Sequence, residues 1–258
     1  MDNQQRNLNA LQHSLRTLTL KPKRDNEENK SERTLVGRML TTRRFTRFKL
    51  IETTNKSWHL ATKIKVVKVD ENLFTFLLGS KEKNDCIFRN RPWSFNGAHL
   101  ILKEWPANRS LKEISFDATT FSIQIHGLPP LYLHEEIAFQ IGSMLGNIQQ
   151  DSISKICVVG QRFLKFRIDL SSLNPLPPGF FQDREDGKER WIQFKYEKLS
   201  DFYYKCGKID HVIGIYKFEQ PATITSTNGV TAKLYGPWLW AKHDGSLWFI
   251  NPLENDDL

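Results

Sequence analysis

The chain has few cysteines, the residues whose disulfides stabilise small secreted folds. Only three cysteines occur among its 258 residues, at Cys86, Cys157 and Cys206. Their wide spacing argues against a disulfide framework and is typical of a reducing compartment. The sequence also lacks a run of about 18 apolar residues and opens with no charged-then-apolar leader, so it predicts neither a membrane span nor a secretory signal. We therefore expect an intracellular protein, nuclear or cytoplasmic.

The motifs of common enzyme classes are missing as well. The sequence shows no glycine-rich phosphate loop, no nucleophile elbow, and no paired carboxylates or His/Cys/Asp cluster suited to metal catalysis. His126 and His134 flank the start of a predicted helix, but neither has a carboxylate or a nucleophile in a recognisable arrangement. We expect a protein that is not an enzyme and has no catalytic residues.

Positive charge is what the sequence has in excess. The formal net charge is +8, and residues 33–110 hold 16 lysines and arginines against 6 acids, a local surplus of +10. A polyanion should meet this segment first. Five of its basic residues are the candidate nucleic-acid contacts, through phosphate groups: Arg43, Arg44 and Arg47 at the start of the first helix, and Lys63 and Lys65 on one strand face. A solvated face is the alternative interpretation of the same charges.

Periodicity predicts two small folded units of the α+β class after a polar tail. Residues 1–32 have too little apolar material for a core and are expected to be disordered. Residues 33–106 follow a βαββαβ pattern, with strands at 34–40, 61–69, 72–78 and 98–104, and helices at 42–57 and 80–89. This is the split βαβ order of the RNA-recognition motif.

Residues 117–200 predict the second unit, a small α/β fold. Its strands are expected at 121–127, 147–152, 156–159, 162–170 and 191–198, and its helix at 134–145. A stretch rich in proline and glycine, Pro175–Gly187, is expected to be an exposed loop. Residues 201–219 form a separate segment, and residues 220–258 are a C-terminal extension.

The strand at 72–78 allows two registers with different functions. If Phe74 and Phe76 point outward, they form the base-stacking platform of an RNA-recognition motif. If Leu78 packs under the following helix, both phenylalanines share its face and are core residues, which is the commoner use of aromatic residues in strands. The sequence leaves both registers open.

Residues 201–219 resemble a zinc knuckle of the retroviral nucleocapsid kind. That motif needs Cys-x2-Cys-x4-His-x4-Cys, and its four ligand positions fall here on Tyr203, Cys206, His211 and Tyr216. Cys206 and His211 are the residual metal-ligand positions. A tyrosine phenol is a poor zinc ligand at neutral pH, so the knuckle is degenerate. We expect no bound zinc and no other cofactor.

Four stretches of the first unit resemble the plant domain of unknown function 4283: Leu35–Leu40, Asn72–Phe76, Arg91–Gly97 and Leu100–Trp105. Proteins with that domain are similar to the gag-like first-open-reading-frame products of non-LTR retroelements. The resemblance extends over Phe121–Lys198 and Tyr235–Ala241. It implies that residues 92–95 close the first domain as a packed corner, with Trp93 and Trp105 in the core.

These observations together predict a non-enzymatic nucleic-acid-binding protein of retroelement gag-like origin. Its basic first domain should bind RNA or single-stranded DNA, with duplex DNA as a further possibility, at low sequence specificity. The competing hypothesis is a protein-interaction module or a non-functional remnant that no longer binds nucleic acid. Salt dependence of binding separates the two hypotheses, whereas the sequence leaves the oligomeric state open.

Overall fold

The computed structural model describes residues 34–60, 64–158, 161–185, 187–199, 202–209, 220–227 and 229–242. Two five-stranded antiparallel sheets follow one another within these ranges. Helices pack on one face of each sheet, so the α+β class predicted from the sequence is confirmed. No helix in the described part of the chain is long and apolar enough to cross a membrane.

The first sheet has the strand order β2-β3-β1-β5-β4, with β1 in its centre. Its elements are β1 Thr34–Leu40, α1 Arg47–Ser57, β2 Lys65–Asp70, β3 Leu73–Leu77, α2 Lys81–Arg89, β4 Trp93–Phe95 and β5 Ala98–Glu104. The order β2-β3-β1-β5, with a helix inserted after β1 and another after β3, is the split βαβ topology of the RNA-recognition motif, as predicted. The short β4 pairs with β5 as a hairpin at the sheet edge.

The first helix begins at Arg47, five residues later than the sequence predicted. The side chain of Asn72 explains the difference. Its amide donates hydrogen bonds to the carbonyls of Thr41 and Arg43, and its oxygen accepts one from the backbone amide of Phe45. These bonds occupy backbone groups that a helical turn would need, so residues 41–45 form a loop.

Phe74 and Phe76 lie in the core between the sheet and the two helices. Both side chains are fully buried, and the Trp58 ring meets Phe76 edge-on at 5.4 Å between centroids. Leu78 packs in the same cluster. The core register is therefore the correct one, and the opposite face of β3 carries Leu73 and Thr75.

The second sheet repeats the topology of the first. Its elements are β6 Ala118–His126, α3 Glu135–Leu145, β7 Asn147–Val158, β8 Gln161–Ser171, β9 Gly179–Asp183 and β10 Glu189–Tyr196. The order β7-β8-β6-β10-β9 matches that of the first sheet position by position. Where the first unit has its second helix, between β3 and β4, the second unit has only the connection of residues 172–178 between β8 and β9.

The prediction that Pro175–Gly187 is an exposed loop is wrong. This stretch contains β9, and Leu176 is almost completely buried in the second core. Two side chains of β10 fix it there, because Gln193 donates to the carbonyl of Pro178 and the Tyr196 hydroxyl donates to that of Pro177. The prolines cannot donate backbone hydrogen bonds, but their carbonyls accept them.

The segment after β10 completes the second core. Five of its side chains are buried in the cluster that lies under α3: Leu199, Phe202, Ile209, Tyr235 and Leu239. A two-stranded hairpin, β11 Thr223–Thr225 and β12 Thr231–Lys233, lies between them along the chain. This segment therefore packs as part of the second unit.

The linker between the units covers the face of the first sheet opposite its helices. We call residues 105–117 the strap. Phe116 of the strap is buried against Val36, Leu73 and Ile101, which lie on three neighbouring strands, and Trp105, Leu111 and Ile114 pack around this cluster. The guanidinium of Arg38 lies 4.8 Å from the Phe116 ring centroid. The strap is thus a layer of the first unit.

Candidate nucleic-acid interface

The structure brings Arg43, Arg44 and Arg47 together at one end of the first sheet. All three are exposed. Arg43 donates a hydrogen bond to the carbonyl of Asn96 in the β4–β5 turn, and Arg44 forms an ion pair with Glu71 at 2.8 Å. Both partners of that pair are largely in water, so the pair contributes little stability and an external anion can compete for Arg44.

An exposed aromatic ring, missed by sequence reasoning, stands among these arginines. Phe48 follows Arg47 in the first turn of α1, and 80% of its surface is exposed. Its position is explained by Leu50 and Thr54, the buried residues of α1, since a residue two positions before Leu50 lies on the other side of the helix. We call residues 43–49 the arginine patch.

Lys65 does not belong to the arginine patch. It is exposed at the start of β2, while Glu71, the partner of Arg44, follows the end of the same strand. Five residues of extended strand separate Lys65 from Asp70, a distance of roughly 17 Å. Lys65 is therefore separated from the Glu71 end of β2 by nearly the length of that strand. Lys63 is outside the described residues.

The strap covers the central part of the surface on which the RNA-recognition motif stacks bases. In that motif, aromatic side chains on the open face of the central strands carry the bases. Here the corresponding positions hold Val36, Leu73 and Ile101, which are buried under Phe116. Base stacking on these strands is therefore blocked in this conformation.

The first half of the knuckle motif forms a tight turn. The backbone amides of Cys206 and Gly207 both donate to the carbonyl of Tyr203, and Gly207 has a φ of +79°. Tyr203 is buried. The ring of Tyr235 lies against Gly207, and burial together with the nearby Cys206 raises the pKa of Tyr235 to about 12.

The knuckle turn gathers no metal site within the described residues. No group of three or more histidine, cysteine or acidic side chains suited to a metal occurs in the described ranges. Cys206 is partly buried beside Tyr203, which occupies the first ligand position with a phenol. His211 and Tyr216, the other two positions of the motif, are outside the described residues. Absence of zinc therefore stays a prediction.

The two histidines at the α3 entry have structural contacts. His126 is buried, stacks on Phe163 with 4.6 Å between ring centroids, and bonds Gln124 at 2.9 Å. Burial, with Lys195 nearby, lowers the pKa of His126 to about 4. The Nδ1 atom of His134 lies 2.8 Å from the Glu136 carboxylate in the first turn of α3.

The strand order and the helix placement define a tandem α+β protein of RNA-recognition topology. The turn at Tyr203 adds a knuckle-like segment. Family comparison agrees with this class. Residues 27–113 match the model of a domain of unknown function, DUF4283, and residues 183–218 match a zinc knuckle model. These segments are thus similar to the two families that the sequence resembles, and each match covers less than half of the chain.

Two known proteins are similar to parts of the chain. An uncharacterized protein of Arabidopsis thaliana is 25% identical over 127 residues, which are 48% of this chain and 39% of that protein. The chain thus spans about two fifths of that relative's length. A solved structure of the RNA binding domain of Hrp1 in complex with RNA matches with 14% identity over 65% of this chain and 97% of the other, at a TM-score of 0.26.

Proposed function

We propose that this protein is a non-enzymatic nucleic-acid-binding module of retroelement gag-like origin. It holds RNA or single-stranded DNA through the arginine patch with low sequence specificity. The observation that carries the proposal is the exposed Phe48 ring beside Arg43, Arg44 and Arg47. An aromatic ring flanked by cations is the combination that binds single strands, because bases stack on the ring while cations meet phosphates.

Two further features support this site. The patch includes the first turn of α1, where the helix dipole favours an anion although the Thr46 hydroxyl already accepts from the Lys49 amide. The zinc knuckle match supports a nucleic-acid function in general terms. The patch presents no described array of side chains that could read base edges, so phosphate and stacking contacts dominate the proposed binding.

The test is fluorescence anisotropy with a labelled mixed-sequence single-stranded RNA, the matching single-stranded DNA and a duplex DNA, from about 50 to about 200 mM salt. The variant Arg43→Gln/Arg44→Gln/Arg47→Gln should weaken binding to single strands by at least about tenfold. Its log-log salt slope should fall by about 2, because each lost phosphate contact removes about 0.7 on a single strand.

A matched control removes three exposed charges elsewhere: Lys56→Gln, Lys83→Gln and Lys155→Gln. This control triple should bind nearly as the parent does, although it carries the same change in net charge. Equal losses in both triples would show that only overall charge matters and would reject the patch. A parent that binds none of the three probes at low salt would support the interaction-module or remnant hypothesis instead.

A further inference from the structure

The two units meet along a line of polar contacts rich in basic groups. Arg167 of β8 donates from Nη2 to the carbonyl of Arg91 at 2.9 Å. Lys198, just after β10, donates to the carbonyl of Asn90 at 3.2 Å, and its ammonium lies 4.5 Å from the Trp93 ring centroid. We call the group Arg91, Lys103, Arg167 and Lys198, with Asp169, the seam.

The seam holds four cations, three of which share one carboxylate. Asp169 interacts electrostatically with Arg91, Lys103 and Arg167. It accepts a hydrogen bond from Thr120, however, and none of the four cations forms an ion pair with a carboxylate of the described residues. Each cation also interacts electrostatically with one further carboxylate outside the seam. These pairs are Arg91 with Glu104, Lys103 with Asp117, Arg167 with Asp151 and Lys198 with Glu197. The hydrogen bonds that Arg91, Arg167 and Lys198 donate within the described residues go to neutral carbonyls, so no carboxylate bonds these three cations directly.

Partial burial makes this arrangement costly. Burial is the main reason that the pKa of Arg91 falls to about 10 and that the pKa values of Lys103, Arg167 and Lys198 are lowered. Mutual repulsion between Arg91 and Lys103, and between Arg167 and Lys198, acts in the same direction. The Nε–H of Arg167 is buried and has no hydrogen-bond partner within the described ranges. A cation held this way is stabilised by an anion that supplies both charge and acceptor oxygens.

We propose that the seam is a second nucleic-acid contact, in which Arg167, Lys103 and Lys198 bind a backbone phosphate of the single strand held by the arginine patch. The inference rests on the proposed function and places a second binding site between the units. The two sites lie towards opposite ends of the β4–β5 hairpin, since Asn96 contacts Arg43 and Arg91 precedes the other end of β4. On β5, five residues of strand separate Ala98, next to the turn at Asn96, from Lys103 of the seam, a distance of roughly 17 Å, so one extended nucleic-acid strand can reach both sites.

The test compares three charge-neutralised proteins with the parent in the same anisotropy titrations: the patch triple, the control triple, and a seam triple, Lys103→Gln/Arg167→Gln/Lys198→Gln. The seam triple should lose about tenfold in affinity for RNA and for single-stranded DNA, and its salt slope should fall by about 0.7, because one phosphate contact is lost. Thermal unfolding of each variant checks that the fold is retained.

A second measurement keeps the proposal testable if the seam triple unfolds. In a ¹H–¹⁵N spectrum of the parent, the Arg167 Nε–H resonance should shift on adding the RNA, and the shift should persist in the patch triple at saturating RNA. A parent that binds RNA without moving this resonance, or a folded seam triple with unchanged affinity, would overturn the seam while the proposed function stands. A parent that binds no nucleic acid would overturn both.

Discussion

Phe48 is the residue whose surroundings are hardest to explain by folding alone. A phenylalanine ring in water forgoes the burial that stabilises most aromatic residues, by about 1.5 to 3 kcal/mol. Its neighbours Arg47 and Lys49 are exposed and basic, so the ring lies within a cationic surface. A ligand with flat rings and negative charges would use both properties at once.

We predict that Phe48→Ala weakens binding of single-stranded RNA by about 1 to 3 kcal/mol, the usual worth of one base stacked on an aromatic ring. The salt slope should stay unchanged because no charge is lost. Met144→Ala, which removes another exposed apolar side chain from the second unit, serves as the control. Anisotropy titrations in which both variants bind like the parent would remove stacking from the proposal.

At the scale of elements, the turn Tyr203–Lys208 lies at the knuckle position, and its Tyr203 side chain is buried while Tyr204 packs against the second core. Gly207 is constrained in two ways, by a φ of +79° and by close contact with the Tyr235 ring. We expect Gly207→Ala to lower the free energy of unfolding by about 1 to 3 kcal/mol beyond the cost of the backbone conformation.

Gly229 supplies the matched comparison for this experiment. It has the same φ of +79°, but no atom lies within 4 Å of an added Cβ. Gly229→Ala should therefore cost only the left-handed conformation, about 1 kcal/mol. Chemical denaturation of both variants gives the difference, and equal losses would mean that the Tyr235 contact contributes nothing.

The same turn yields a prediction about metal. We expect no stoichiometric zinc in the purified protein and no change of its thermal midpoint with chelator, because a structural zinc site needs four converging deprotonated ligands. Tyr203→Cys with Tyr216→Cys should bind about one zinc per chain, since Cys206 and Gly207 still form the turn. Near-stoichiometric zinc in the unmodified protein would contradict the prediction.

Sequence patterns predicted those elements whose signals are local. The helix predicted at 80–89 is one, because it begins at Lys81 directly after Ser80, whose hydroxyl accepts from the Lys83 amide. The start of α1 was missed because Asn72, 25 residues beyond Arg47, decides it through tertiary hydrogen bonds. Phe48 was identifiable in principle from its spacing to Leu50, whereas the seam depends on how two units pack and has no sequence signal.

For the whole molecule, His99 joins the two units. It is fully buried, its Nε2 lies 3.0 Å from the Thr119 hydroxyl, and its ring stacks on Phe121 of the second core. Burial lowers the pKa of His99 from 6.5 to about 4. A charged imidazole would therefore oppose the packing of the two units.

This depressed pKa sets the sign of a pH effect. The unfolded chain takes up a proton at His99 near pH 6.5 and the folded protein only near pH 4, so stability is lost as pH falls through that window, by about 3 kcal/mol. His99→Gln should flatten the fall, and adding His126→Gln should flatten it further because the same window applies there. Denaturant titrations from pH 7 to pH 4 measure this, and parallel curves for parent and variant would contradict it.

The strap has a consequence for synthesis on the ribosome. The last strand of the first sheet ends at Glu104, yet Phe116 must follow before Val36, Leu73 and Ile101 are covered. At typical elongation rates of about 5 to 20 residues per second, the nascent first unit displays this apolar face for roughly half a second to two and a half seconds. During that interval chaperones can bind the exposed apolar face of the emerging chain. A polypeptide released at residue 104 would keep this face exposed and would stay a substrate for chaperones.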